Sequence, residues 1–129
     1  MHASGTFDVK LTPQPAAPGI EAARLGRQII DKRFSGELEA TSLGEMLSAG
    51  GNVQGSAGYV AIERVTGVLQ GKRGSFVLQH MGTMDRGVPS LSISVVPDSG
   101  TDELAGLNGS MQIQIEQGRH VYRFDYRLP

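Results

Sequence analysis

The chain has 129 residues, 39% of them hydrophobic and 19% charged, with a formal net charge of −1. That balance sets aside a disordered tail, and no run of 18 apolar residues exists to span a bilayer, so no membrane partner is expected. Twelve basic against 13 acidic residues leave no basic excess for neutralising phosphates, which sets aside nucleic acid as a partner.

With no cysteine there is no disulfide and no thiolate metal site. The start, Met1-His2-Ala3-Ser4-Gly5, lacks the charged and apolar regions of a secretory leader, so a cytoplasmic location is expected. Residues 1–129 are read as one domain, large enough to bury roughly two-thirds of its unfolded surface.

In chain order the first element is a strand, where Phe7, Val9 and Leu11 alternate with Thr6, Asp8 and Lys10. A period of two places alternate side chains on opposite faces. Pro13, Pro15 and Pro18 then make a loop up to Gly19. Ile20–Leu25 has length for one helical turn and no more.

Further strands are assigned to Gly26–Phe34, Glu37–Ser48, Ser56–Thr66, Ser75–Met84 and Leu91–Pro97. Turn residues separate several of them at Ala49-Gly50-Gly51-Asn52, Asp85-Arg86-Gly87 and Pro97-Asp98-Ser99-Gly100. Which face of residues 26–66 turns inward is left open by the pattern. Glu37, Glu39, Thr41 and Glu45 share one parity and read as an exposed face. Two strands close the chain. Met111, Ile113 and Ile115 alternate in the first; Tyr122, Phe124, Tyr126 and Leu128 share one face of the second.

A short phrase recurs. Leu69, Gly71, Gly74, Ser75 and Phe76 are matched 35 positions later by Leu104, Gly106, Gly109, Ser110 and Met111, and Phe34 and Gly36 precede the first set by the same interval. Glycines at such spacing serve turns and bulges, so the phrase speaks of hairpins rather than chemistry.

Four segments resemble a bacterial family of short proteins known only as a domain of unknown function: Gly55–Ala61, Gly74–His80, Val96–Thr101 and Glu103–Ser110. That family is similar in turn to the allene oxide cyclase and dirigent barrels. The resemblance implies an all-β fold, a closed antiparallel barrel of about eight strands, and a tendency to form homo-oligomers. It implies no particular reaction.

The chemical signatures are few. No Gly-x-Ser-x-Gly elbow occurs, and Gly67–Arg73 misses the phosphate-loop spacing. Asn108-Gly109-Ser110 reads as a turn rather than a glycosylation site. His2, His80 and His120 have no metal-ligand spacing among them, so neither a metal nor a cofactor is expected.

What remains is a possible lumen. Were the alternating faces to meet inside, Tyr59, Phe76, Tyr122, Phe124 and Tyr126 would line a cavity for a small hydrophobic or aromatic molecule. Glu63 and His80 would then be candidate catalytic groups. Burial would raise the carboxyl of Glu63 into the range of general acid–base work, with the hydroxyls of Tyr122 and Tyr126 converging on it. Three functions follow: a binding module, an isomerase or cyclase using the carboxylate or histidine, or a solid barrel with a structural role.

Overall fold

The computed structural model describes residues 1–129. Eight strands follow one another: β1 (His2–Pro13), β2 (Gly26–Gly36), β3 (Leu38–Gly50), β4 (Ala57–Leu69), β5 (Lys72–Asp85), β6 (Val88–Val95), β7 (Asn108–Glu116) and β8 (Arg119–Arg127). Each pairs antiparallel with the next, and β8 closes onto β1. Closure removes the unpaired edges that a sheet of this length would otherwise expose.

The register sets the barrel's girth. Following partners from Pro13 through Gln28, Met46, Ala61, His80, Ile93, Met111 and Phe124 leads back to β1 at Ala3, ten residues from the start. Such a stagger obliges the strands to tilt, typically by about 35–45°.

The inward face of residues 26–66 is now settled. Ile30, Lys32 and Phe34 point in from β2; Leu38, Ala40 and Ser42 from β3; Ala61, Glu63 and Val65 from β4. Phe76, Leu78 and His80 on β5 and Tyr122, Phe124 and Tyr126 on β8 complete the interior. Aromatic rings fill much of it. Phe124 stacks between Phe76 at 5.7 Å and Tyr126 at 5.3 Å, and Phe34 meets Tyr122 edge-on at 5.6 Å.

Several boundaries differ from the sequence reading. β1 runs to both His2 and Pro13 because two neighbours, β2 and β8, share its hydrogen-bonding groups. β6 starts at Val88 and ends at Val95, earlier than Leu91–Pro97, because Val96 leaves it to bond β5. Leu11 and Ile115 carry the core parity yet remain 44% and 71% exposed, since the ends of their strands overrun the packed interior. The short helical element is a single 3-10 turn, Glu21–Ala23.

The seam between β6 and β7 has only two register pairs, Ile93–Met111 and Ser94–Ser110. The connection between them repairs it. Val96 N–H donates to Val77 O, Thr101 N–H to Ser75 O, and the hydroxyls of Ser99 and Thr101 accept from Val77 and Ser75 N–H. Leu104 and Leu107 on this connection are buried in the core. The repeated phrase finds its reason in turns: Gly36, Gly71 and Gly106 have φ of 106°, 86° and 82°, and Phe34, Leu69 and Leu104 are buried beside them. At Gly36 a Cβ would lie 2.8 Å from Gly5 Cα, so a side chain is barred by contact as well as by φ.

Candidate functional site

Four inward side chains on four successive strands form a buried polar cluster. Glu63, fully buried on β4, accepts from Ser42 Oγ at 2.6 Å through Oε1. Its Oε2 accepts from Lys32 Nζ at 2.8 Å and faces His80 Nε2 at 2.5 Å. The Lys32 ammonium also lies 4.8 Å from the Phe7 ring centre and 5.7 Å from that of Phe34, so ring faces meet its remaining hydrogens.

Burial works to raise the Glu63 carboxyl, but the His80 hydrogen bond, the Lys32 charge and hydrogen bond, and the Ser42 hydroxyl outweigh it and hold it at about 2. This corrects the expectation of a raised carboxyl. Glu63 is a permanent anion near neutral pH and does not serve as a general acid. An ionised carboxylate places the proton of the short contact on His80 Nε2.

The interior brings Glu63 and His80 together as expected, but not with the tyrosines. The Tyr122 hydroxyl accepts from Leu38 N–H at 2.9 Å and faces Ser35 O and Leu38 O at 3.0 and 3.1 Å, bracing the β2–β3 turn. Tyr126 OH bonds Gln70 Oε1 at the β4–β5 turn. Phe76, Tyr122, Phe124 and Tyr126 do turn inward, where they are buried members of the packed core. Tyr59 is half-buried and lies across Gly82, its register partner, where a Cβ would meet the ring at 2.3 Å. Burial and the Glu63 charge both push its hydroxyl up.

Sequence reasoning missed Lys32 and Ser42. A signal existed: Lys32 shares parity with Ile30 and Phe34, and Ser42 with Leu38 and Ala40. Gln28, on the same inward face, carries Oε1, the one fully buried side-chain polar atom without a partner.

A large concavity lies on the outside. The β1–β2 connection stands over the outer face of β3–β5 and encloses about 840 Å³ between Pro18, Ile20 and Leu25 on one side and Leu47, Val60, Ile62 and Met81 on the other. An ion pair, Arg27 Nε to Glu45 Oε2 at 2.8 Å, borders it. A second hollow of about 450 Å³ adjoins it, sharing Leu25, Leu47, Val60 and Met81 and reaching Tyr59.

The family model for a protein of unknown function, DUF3224, matches residues 3–126. The chain belongs to the DUF3224 family. A crystal structure of a DUF3224 protein of unknown function from Shewanella oneidensis MR-1 is 55% identical to it, with a TM-score of 0.92 over 100% of this chain and 97% of that one. No curated protein matches the sequence. The function of the DUF3224 family is unknown. No helix of this DUF3224 protein is long and apolar enough to cross a membrane.

Proposed function

We propose that the protein binds a small hydrophobic or aromatic molecule, and that the molecule lodges in the outer groove rather than the lumen. The observation that carries this is the concavity of about 840 Å³, walled mainly by aliphatic side chains with one ion pair at its border. Small-molecule sites have this size and this mixture of apolar wall and sparse polar anchor. A chain without cysteine suits a reducing compartment, which keeps the cytoplasm as the place of action. The test is titration with an anilinonaphthalene dye, followed by fluorescence and by melting temperature. Saturable binding that raises the melting temperature, and is lost in Val60→Arg, is expected. Val60 is 52% exposed, so this variant keeps the core intact. Dye binding unchanged by Val60→Arg would remove the groove as the site.

One observation favours a second reading, an isomerase or cyclase using the buried carboxylate and histidine. Glu63 orients His80 through Nε2, so that a ring unprotonated at Nδ1 would take a proton there from one atom of a substrate and return it to another, a net-neutral exchange. Nitrogen NMR of His80 checks the geometry. A ring protonated at Nε2 is expected, and a neutral ring protonated at Nδ1 would end this reading.

A further inference from the structure

The outer groove holds one charge of each sign. Arg27 and Glu45 are the charged side chains open to it; His80, at its edge, is buried and turned toward Glu63. The register lays the floor out in two rows. Arg27, Leu47, Val60 and Met81 form one across β2–β5, and Glu45, Ile62 and Gln79 form the next across β3–β5. Arg27 reaches from its row to Glu45, with Nε donating to Oε2 at 2.8 Å and Nη2 to Oε1 at 3.4 Å. Its Nη1 donates to Pro15 O, in the β1–β2 connection, at 3.5 Å. The exposed Gln79 amide stands two strands from Glu45, on the order of 10 Å, with Ile62 between them.

The ion pair is closed on itself. The hydrogen bond and charge of Arg27 hold the Glu45 carboxyl below its ordinary range, and Glu45 raises the guanidinium in return. Both are ionised near neutral pH, and their charges sum to zero. A charged ligand gives up hydration on entering a floor of aliphatic side chains. It then finds its counter-charge taken. An anion at Arg27 comes up against the Glu45 carboxylate, and a cation at Glu45 comes up against the guanidinium. An uncharged molecule meets neither penalty. It can accept from the guanidinium N–H groups that Glu45 and Pro15 leave free, and it can share a hydrogen bond with the Gln79 amide. Repulsion of this kind, built in against competitors, is a general source of specificity. The connection over the groove adds Glu21 and Arg24, again one of each sign, both exposed and off the lining, so the balance is not tipped.

We propose that the groove selects an uncharged hydrophobic or aromatic molecule, and that the Arg27–Glu45 pair is the element that turns charged analogues away. This rests on the groove being the ligand site. Two dyes of one skeleton test it on the full chain by fluorescence titration: anilinonaphthalene, which is uncharged, and its sulfonate, which adds one anionic group. The wild type is expected to bind the uncharged dye more tightly by at least about tenfold. Glu45→Gln leaves Arg27 unbalanced, so the ratio of affinities should move toward the sulfonate by at least about tenfold. Arg27→Gln leaves a bare carboxylate and should move the ratio the other way. The double variant, without either charge, should return it to near the wild-type value. Both side chains are partly exposed, so circular dichroism should be unchanged. A ratio indifferent to Glu45→Gln overturns the proposal, and so does a wild type that binds the sulfonate as tightly as the parent dye. In either case the groove survives as the ligand site if Val60→Arg still abolishes binding of the uncharged dye. Binding of that dye unaffected by Val60→Arg overturns both.

Discussion

The wall built by β2 to β5 and the wall built by β8 face the same barrel interior and carry opposite chemistry. On β8, Tyr122, Phe124 and Tyr126 are rings whose only polar atoms sit at the turns, where each finds a partner. On β2 to β5, Lys32 and Glu63 carry charge into the interior, with Ser42 and His80 hydrogen-bonded to the carboxylate. The aromatic wall lowers the free energy of the fold by removing apolar surface from water. The ionic wall pays a desolvation penalty that its mutual attraction must offset, and such clusters are weak evidence for stability. The difference teaches that only the second wall asks for an explanation beyond folding.

The sharpest way to break the comparison is to remove one charge. Glu63→Ala leaves the Lys32 ammonium buried without its anion and is expected to cost about 3–5 kcal/mol by denaturant unfolding. Replacing both ions together, Lys32→Met with Glu63→Met, should be close to neutral or even stabilising by about 1–4 kcal/mol. If the double variant is as unstable as the single one, the ion pair is a structural necessity after all. On the other wall, Phe124→Ala is expected to cost about 3–5 kcal/mol through lost transfer energy and the cavity left behind, with no apolar replacement pair to rescue it.

Acid distinguishes the walls further. The folded Glu63 carboxyl titrates near 2 against an ordinary value of 4.5. A depressed folded pKa gives stabilisation that is whole above about pH 4.5 and is lost as the pH falls toward 2. Its size is on the order of 3 kcal/mol. Unfolding measured at pH 5 and pH 3 should therefore show a shallower acid slope in Glu63→Gln than in the wild type, and an unchanged slope in Phe124→Ala. Equal slopes in all three would place the acid sensitivity elsewhere. Tyr122→Phe has the smallest expected effect, about 1–3 kcal/mol, from leaving Leu38 N–H without its acceptor. A neutral result would mean that water replaces the hydroxyl.

The alternation of Tyr122, Phe124 and Tyr126, and of Phe76, Leu78 and His80, was enough to group those side chains on one face of each strand, because in a strand parity alone assigns a side chain to one face or the other. Parity put Glu63 on one face with Tyr59, Ala61 and Val65 but left open whether that face turned inward, and the glycine phrase marked turns with positive φ at Gly36, Gly71 and Gly106. Parity says nothing about which strands face each other across a barrel. That depends on the stagger of ten residues accumulated around the ring. Only this tertiary register brought Lys32 and Ser42 to Glu63, carried the tyrosine hydroxyls to turns instead, and so reversed the direction of the Glu63 shift. It also folded the proline-rich connection over the outside of β3–β5, where a concavity of about 840 Å³ is walled on the sheet side by residues whose alternation marks them simply as exposed. Local periodicity fixes the face of a strand; distances between faces are a property of the closed sheet.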